Sequence, residues 1–349
     1  MSSPPSFLEN LDPASRELLL SAATPVSFMA GATLVRHGDA ARGAYIVRQG
    51  SVEAEVTLPG GEKLVVAKLG AGSVFGEMAL IELGTCTATV RANAPVDGWF
   101  ISNEDFRALV TQRSDAAIAL QHAVTVMLAE KLAALNVQLL ACAAPEDRAL
   151  RAAAKEGVDP LDAVPRSRRA PFDTEGYLPR LPFFERFAQD EIDEVVARAS
   201  YVEVPRGNGI FAAKTPAAST FIVVRGAAEL LAVQAGCERR VAIVGPGQLI
   251  GFLGVLRERP HGSFAFARES ALLLDLPAAA FRELYFGQAR ASARLRAAVQ
   301  RSLLASMGRT NRALTRLLSQ AKLDESTRAE KTLEVALHAQ LTAAPDQSR

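Results

Sequence analysis

The chain has 349 residues, 49% of them hydrophobic and 22% charged, with a formal net charge of +1. That is the length and composition of a soluble globular protein with room for two ordinary domains, and so even a balance marks no whole-chain attraction to nucleic acid or lipid. The start, Met1-Ser2-Ser3-Pro4-Pro5-Ser6-Phe7, lacks the basic and apolar segments of a secretory leader, and no run approaches 18 consecutive apolar residues, so a cytoplasmic, membrane-free protein is expected. Cys86, Cys142 and Cys237 are far apart and show no CxxC or Cys/His spacing, which argues against a disulfide framework or a metal site.

Asp12 followed by Pro13 reads as the start of a short helix reaching about Ala23. Apolar runs such as Tyr45 to Val47, Leu64 to Ala67 and Thr87 to Ala92, cut by glycine and proline, follow at strand-like spacing and predict a small all-β roll. Ile118 and then Val124, Leu128, Leu132, Leu135 and Leu139, the last five at three- and four-residue steps, mark one stripe of a long helix spanning about 104–141. Residues 142–175, with Pro145, Pro160, Pro165, Pro171 and the basic cluster Arg166, Arg168 and Arg169, have no sustained period and read as a linker.

A second short helix, about Asp190 to Ala199, opens a second series of strands, and a second long helix, 284–322, closes it with the more polar stripe Leu295, Val299, Leu303, Thr310, Leu314 and Leu317. The remaining tail, 323–349, can form a single amphipathic helix with Leu333, Leu337 and Leu341 on one face.

The two halves repeat each other at a spacing of about 176 residues. Phe7-Leu8-Glu9-Asn10-Leu11 returns as Phe183-Phe184-Glu185-Arg186-Phe187, and Tyr45 to Gly50 returns as Phe221 to Gly226. Leu69-Gly70-Ala71-Gly72-Ser73-Val74-Phe75-Gly76 corresponds to Val244-Gly245-Pro246-Gly247-Gln248-Leu249-Ile250-Gly251, which fixes the register. The period is that of a domain. The expected organisation is an α+β chain of two β-roll or jelly-roll domains, 1–141 and 176–322, joined by the linker and followed by the tail.

A roll closed by Gly70-x-Gly72-x-x-x-Gly76-Glu77-x-Ala79-Leu80 and followed by a long apolar-striped helix resembles the cyclic-nucleotide-binding domain family, which includes bacterial cyclic-AMP receptor proteins and the regulatory subunits of cyclic-AMP-dependent protein kinase. The likeness covers about 7–141 and 178–322. It implies that Gly76 and the amides near Ala79 and Leu80 meet the ribose-phosphate, that Glu77 accepts from the ribose 2′-hydroxyl, and that the amide of the Thr87-Ala88 pair also reaches the phosphate. Cys86 stands where the family carries its phosphate arginine. Read without a ligand, Glu77 is a carboxylate capping the cassette helix or bonding loop amides and Cys86 a small half-buried filler, with a thiol redox sensor as the sharper alternative.

In the second cassette Gly251 keeps its place, Phe252 replaces the glutamate and His261, before Gly262 and Ser263, replaces the arginine. No second nucleotide site is expected there: Phe252 plugs the vacated pocket, while His261 reads as a surface histidine in a solvated basic loop, able to charge at mildly acid pH. Loss of a charge-assisted phosphate contact costs several kcal/mol, roughly three orders of magnitude in affinity. Cyclic AMP or cyclic GMP is therefore an implied ligand of the first copy alone, and a weakened one.

Between Leu284 and Leu323 the chain carries Arg290, Arg294, Arg296, Arg301, Arg309, Arg312, Arg316 and Lys322 and no acidic residue. The basic helix 284–322 is either a docking face for an acidic protein or a solvated face. DNA is the less favoured partner: only 27 residues follow Lys322, too few for a helix-turn-helix domain. Pairing of the two long helices within one chain, as a pseudo-dimer, or between two chains, as a homodimer, is expected. With no catalytic constellation among the residues, the favoured reading is a non-enzymatic regulatory protein of bacterial type whose nucleotide binding is weak or lost and which acts by protein contact. A true cyclic-nucleotide sensor and a transcription-associated regulator without a DNA-reading domain are the alternatives.

Overall fold

Asp12 caps the first helix: its carboxylate accepts from the Ser15 amide at 3.0 Å, and Pro13 takes the first helical position, where a missing N–H costs nothing. The computed structural model describes residues 7–57, 61, 63–142, 160–161, 164–170, 176–234 and 237–342. Helix α1 (Pro13–Ala22) leads into strands β1 (Thr24–Phe28), β2 (Thr33–Val35), β3 (Ala40–Ala41), β4 (Gly43–Gln49), β5 (Val52–Thr57), β6 (Lys63–Leu69) and β7 (Val74–Phe75). Helix α2 (Met78–Ile81), strands β8 (Gly84–Thr85), β9 (Thr89–Ala92) and β10 (Val96–Ser102), and helices α3 (Asn103–Thr111) and α4 (Asp115–Cys142) complete the first half.

The second half begins with β11 (Arg166–Ser167) and α5 (Gln189–Val196). It continues through β12 (Ser200–Val204), β13 (Gly209–Phe211), β14 (Ser219–Arg225), β15 (Ala228–Gln234), β16 (Cys237–Val244) and β17 (Leu249–Ile250). Helix α6 (Phe252–Arg257), strands β18 (Phe264–Ala267) and β19 (Ala271–Pro277), and helices α7 (Ala278–Phe286) and α8 (Arg290–Thr342) close it.

The antiparallel sheets β1-β10-β4-β7 and β2-β9-β5-β6 build the first roll, and β12-β19-β14-β17 and β13-β18-β15-β16 repeat that order in the second. Register repeats with it, since Tyr45 opposes Phe75 as Phe221 opposes Ile250. The mixed α+β architecture and paired rolls read from the sequence are thus present. Each roll keeps its own apolar interior, with Val47, Val52 and Phe75 in one and Val204, Ile210 and Leu273 in the other. A third cluster joins the helices of both halves, where Leu120, Leu128 and Leu132 share a core with Leu295, Val299 and Leu303.

Along that seam α4 packs on α8. Gln121 donates to Gln300 Oε1 at 3.1 Å, Gln300 donates to Thr125 Oγ1 at 3.0 Å, and Thr310 donates to Asn136 Oδ1 at 3.1 Å. Arg296, 1% exposed, donates through Nε to Gln121 Oε1 at 2.9 Å and through Nη1 to the carbonyls of Tyr285 and Gly287. By length and composition α4 could cross a membrane, but it packs on α1, α3, α6 and α8 and against β15 and β16 of the second roll.

Several expected boundaries differ. The helix expected over 104–141 is two helices, because Arg113 turns left-handed at φ 53° and Ser114 recaps the chain, its Oγ accepting from Ala117 N at 3.2 Å. The basic helix expected over 284–322 likewise divides after Phe286, where the Gly287 amide bonds the Leu284 carbonyl. Beyond it α8 runs unbroken past 322 to Thr342, since no glycine or proline interrupts 309–342. The face of Leu333, Leu337 and Leu341 concerns side chains outside the described residues.

Part of the expected linker is structured. Arg166 and Ser167 pair with β12, Arg166 Nε lies 2.8 Å from Asp275 Oδ2, and Leu161 is fully buried in the second roll. Pro145 and Pro171 fall outside the described residues. The basic run is also not one solvated face: Arg296 is buried and Arg294 lies 3.5 Å from Glu191, while Arg290, Arg312 and Arg316 are exposed.

Candidate functional site: the first cassette and its cavity

Gly76 turns the chain from β7 into α2 at φ 75°, and a Cβ there would stand 2.6 Å from the Gly43 carbonyl oxygen, so only glycine fits. The short α2 is closed on itself: the Ala79 amide donates to Gly76 O at 3.0 Å and the Leu80 amide to Glu77 O at 3.1 Å. Its carbonyls are held from behind by Asn103, whose Nδ2 donates to Ala79 O at 2.5 Å and Leu80 O at 3.1 Å. The phosphate-facing amides expected at Ala79 and Leu80 are therefore already engaged by the cassette's own backbone.

Glu77 is 6% exposed and its side chain does not cap α2, so the capping form of the ligand-free expectation is absent. Its Oε1 lies 2.8 Å from Lys131 Nζ, and that ammonium also donates to Val74 O at 2.7 Å. A buried carboxylate needs such a partner. Sequence reasoning passed over Lys131, though a signal existed: it is the only lysine or arginine in α4.

Cys86 is pinned by the turn that precedes β3. The Gly38 amide donates to Cys86 O at 2.9 Å, and the Cys86 amide donates to Asp39 O at 2.8 Å. Burial first, and then the Asp39 carboxylate, push the thiol pKa up, which disfavours the thiolate that the redox-sensor alternative requires. Cys86 is half-buried and carries a free thiol. The nearby Tyr45 phenol is pushed up as well, by burial and then by the thiol's charge when ionised, and its ring stacks on Phe75 at 5.0 Å.

Gly76, Glu77, Ala79, Cys86, Thr87 and Ala88 all line one cavity of about 990 Å³. Leu80, also expected at the site, is buried behind it in the core. The roll supplies an apolar wall with Tyr45, Val66, Phe75 and Val90, and α4 supplies Lys131, Leu135 and Gln138. The second half supplies the rest: Arg301, Leu304, Met307 and Asn311 of α8 close the far side. These α8 residues lie more than 200 positions from Glu77 in the chain, and no local pattern announced them.

The second cassette keeps the backbone and loses the space. Gly251 repeats the left-handed turn at φ 76°, and Phe252 is 4% exposed within the helical core. His261 is not the surface histidine expected. It is 6% exposed and stacks on Phe211 with centroids 4.0 Å apart, its amide and carbonyl engaged by Thr215 and Lys214. Burial lowers its pKa to about 4, so it stays neutral at mildly acid pH. Gly262 and Ser263 follow as an exposed and a half-buried residue leading into β18.

The sequence matches the family model "Cyclic nucleotide-binding domain" twice, over residues 25–113 and 201–288. Among solved structures, the regulatory domain of Toxoplasma gondii PKA, determined with cAMP, is 19% identical, with 86% of this chain and 91% of that chain covered at a TM-score of 0.31. The regulatory subunit of a cAMP-independent protein kinase A from Trypanosoma brucei is 16% identical, with 91% and 92% covered at 0.32. The N-terminal domain of a transcriptional regulator from Streptomyces coelicolor A3(2) is 28% identical over 36% of this chain and 89% of its own, at 0.33. With both rolls matched, the chain belongs to the cyclic nucleotide-binding domain family and carries that domain in tandem.

Proposed function

We propose that this is a non-enzymatic regulatory protein in which the cyclic-phosphate anchor has been lost from both copies, and which acts through protein contacts. The observation that carries the reading is at Cys86: a neutral thiol stands at the position of the family's arginine, beside the Asp39 carboxylate, with its own amide engaged. No preset guanidinium fork remains there for an anion. Phe252 and the His261–Phe211 stack support the same loss in the second copy. The packing of α4 on α8 within one chain supports an intramolecular pseudo-dimer, and the exposed Arg290, Arg312 and Arg316 suit an acidic protein partner. A cytoplasmic setting fits this reading.

Calorimetric titration with cyclic AMP and cyclic GMP tests it, on the wild-type protein and on Cys86→Arg. We expect no heat from the wild type below about millimolar ligand and binding regained by the variant, by up to about a thousandfold. Micromolar wild-type binding abolished by Glu77→Ala would overturn the proposal in favour of a true sensor.

A further inference from the structure

The basic cluster between the two halves belongs to neither cassette, yet two of its arginines are anchors. Pro160 and Leu161, then Val164 to Arg168, lie along the second roll. Leu161 is fully buried in the apolar interior that holds Val204, Ile210 and Phe211, and Val164 packs against the same cluster. Arg166 Nε donates to Asp275 Oδ2 at 2.8 Å, and its Nη1 donates to Leu161 O at 3.1 Å. Arg168 Nη1 donates to the carbonyls of Ala197 and Ala199 at 3.0 and 3.1 Å, where α5 ends and a cation is favoured.

The roll is shaped to this segment. Gly209 is not left-handed, so no turn requires a glycine there, but a Cβ would stand 2.7 Å from Pro160 Cβ. The missing side chain leaves room for the proline ring. Asp275 is 1% exposed, and its Oδ1 meets no hydrogen-bond donor among the described residues. A carboxylate buried so deeply needs a cation, and the cation comes from the linker. By strand register Asp275 is the counterpart of Phe100, and Gly209, Ile210 and Phe211 are the counterparts of Thr33, Leu34 and Val35. Those first-roll residues line the open cavity. In the second copy a piece of the chain itself lies against the matching wall.

We propose that the second roll is a peptide-binding module whose resident ligand is the chain's own linker, with proline in the Gly209 notch, leucine in the apolar interior and arginine on Asp275. The inference does not depend on whether the first cassette binds a nucleotide. Tethering holds the segment at an effective concentration of about millimolar, so the site is filled in the intact chain. A protein presenting the same residues enters only by displacing the linker, which frees the connection between the two halves.

The test is fluorescence anisotropy of a labelled synthetic peptide, residues 158–169, titrated with the full chain. The wild type should bind it no tighter than about millimolar, the level at which the tethered copy competes. Arg166→Gln, at an exposed position, loosens the resident copy and should bind the peptide at least about tenfold tighter than the wild type does, the effect of a hydrogen bond to a charged group. The peptide carrying the same Arg166→Gln change should bind that variant at least about tenfold more weakly. Pro160→Ala, which withdraws the ring from the Gly209 notch, gives a second comparison. A gain in neither variant, or binding indifferent to the peptide's arginine, overturns the proposal. Unfolding of both variants, seen by far-UV circular dichroism, also overturns it, because a ligand is dispensable to the roll that holds it.

Discussion

Replacing Arg296 by methionine probes how the halves are joined. The guanidinium is 1% exposed and satisfies three acceptors, Gln121 Oε1 and the carbonyls of Tyr285 and Gly287. Methionine fills most of the volume and pairs with none of them. Each acceptor left unpaired in the interior costs about 1–3 kcal/mol. Against that stands the desolvation cost of the buried cation, which the substitution removes. Weighing these, we expect a net loss of about 2–4 kcal/mol. The single tryptophan, Trp99, lies in β10 of the first roll and so reports on the half that does not contain the mutation. Urea unfolding followed by Trp99 fluorescence should shift to lower denaturant in Arg296→Met by an amount matching far-UV circular dichroism. A Trp99 transition that stays in place, with less than about 1 kcal/mol lost, would refute the view that this contact couples the two rolls.

His261 gives the fold a pH dependence. Its pKa falls from 6.5 to about 4 on folding, so the unfolded chain binds the extra proton first. Stability is full above pH 6.5, declines as pH drops towards 4 and levels off below, a change of about 3 kcal/mol from this residue. His261→Phe, stacked in the same place on Phe211, should remove that part of the slope, and urea midpoints at pH 7, 5.5 and 4.5 measure it; equal slopes in the two proteins would refute the assignment. In a background lacking the other cysteines, Cys86 should react with a disulfide reagent at neutral pH more slowly than a free thiol, because its thiolate is disfavoured. A faster rate would restore the redox reading.

The repeat was legible because the roll is specified locally: the residues of β4 and β14, and the glycine turns before each cassette, recur in the same register. The break between α3 and α4 is legible in principle, since Ser114-Asp115 is a helix start and the apolar stripe begins only at Ile118. His261 was misread because its burial depends on Phe211, fifty positions away, offering a ring to stack on. The cavity's far wall was not legible at all. Arg301, Leu304 and Asn311 come to it only through the packing of α8 on the first half, a tertiary event that local pattern does not encode.

The seam between α4 and α8 has a consequence for how chains recognise themselves. The repeat places Asp115 and Arg290, the first residues of the two helices, in equivalent positions 175 apart, so Gln121 is the counterpart of Arg296, and Thr125 of Gln300. These counterparts touch each other, as residues near a two-fold axis do. In a symmetric pair of identical helices each would face its own kind. Two α8 helices from separate chains would bring Arg296 against Arg296, two buried like charges with no acceptor between them. Fusion of the copies lets glutamine face arginine and threonine face glutamine within one chain.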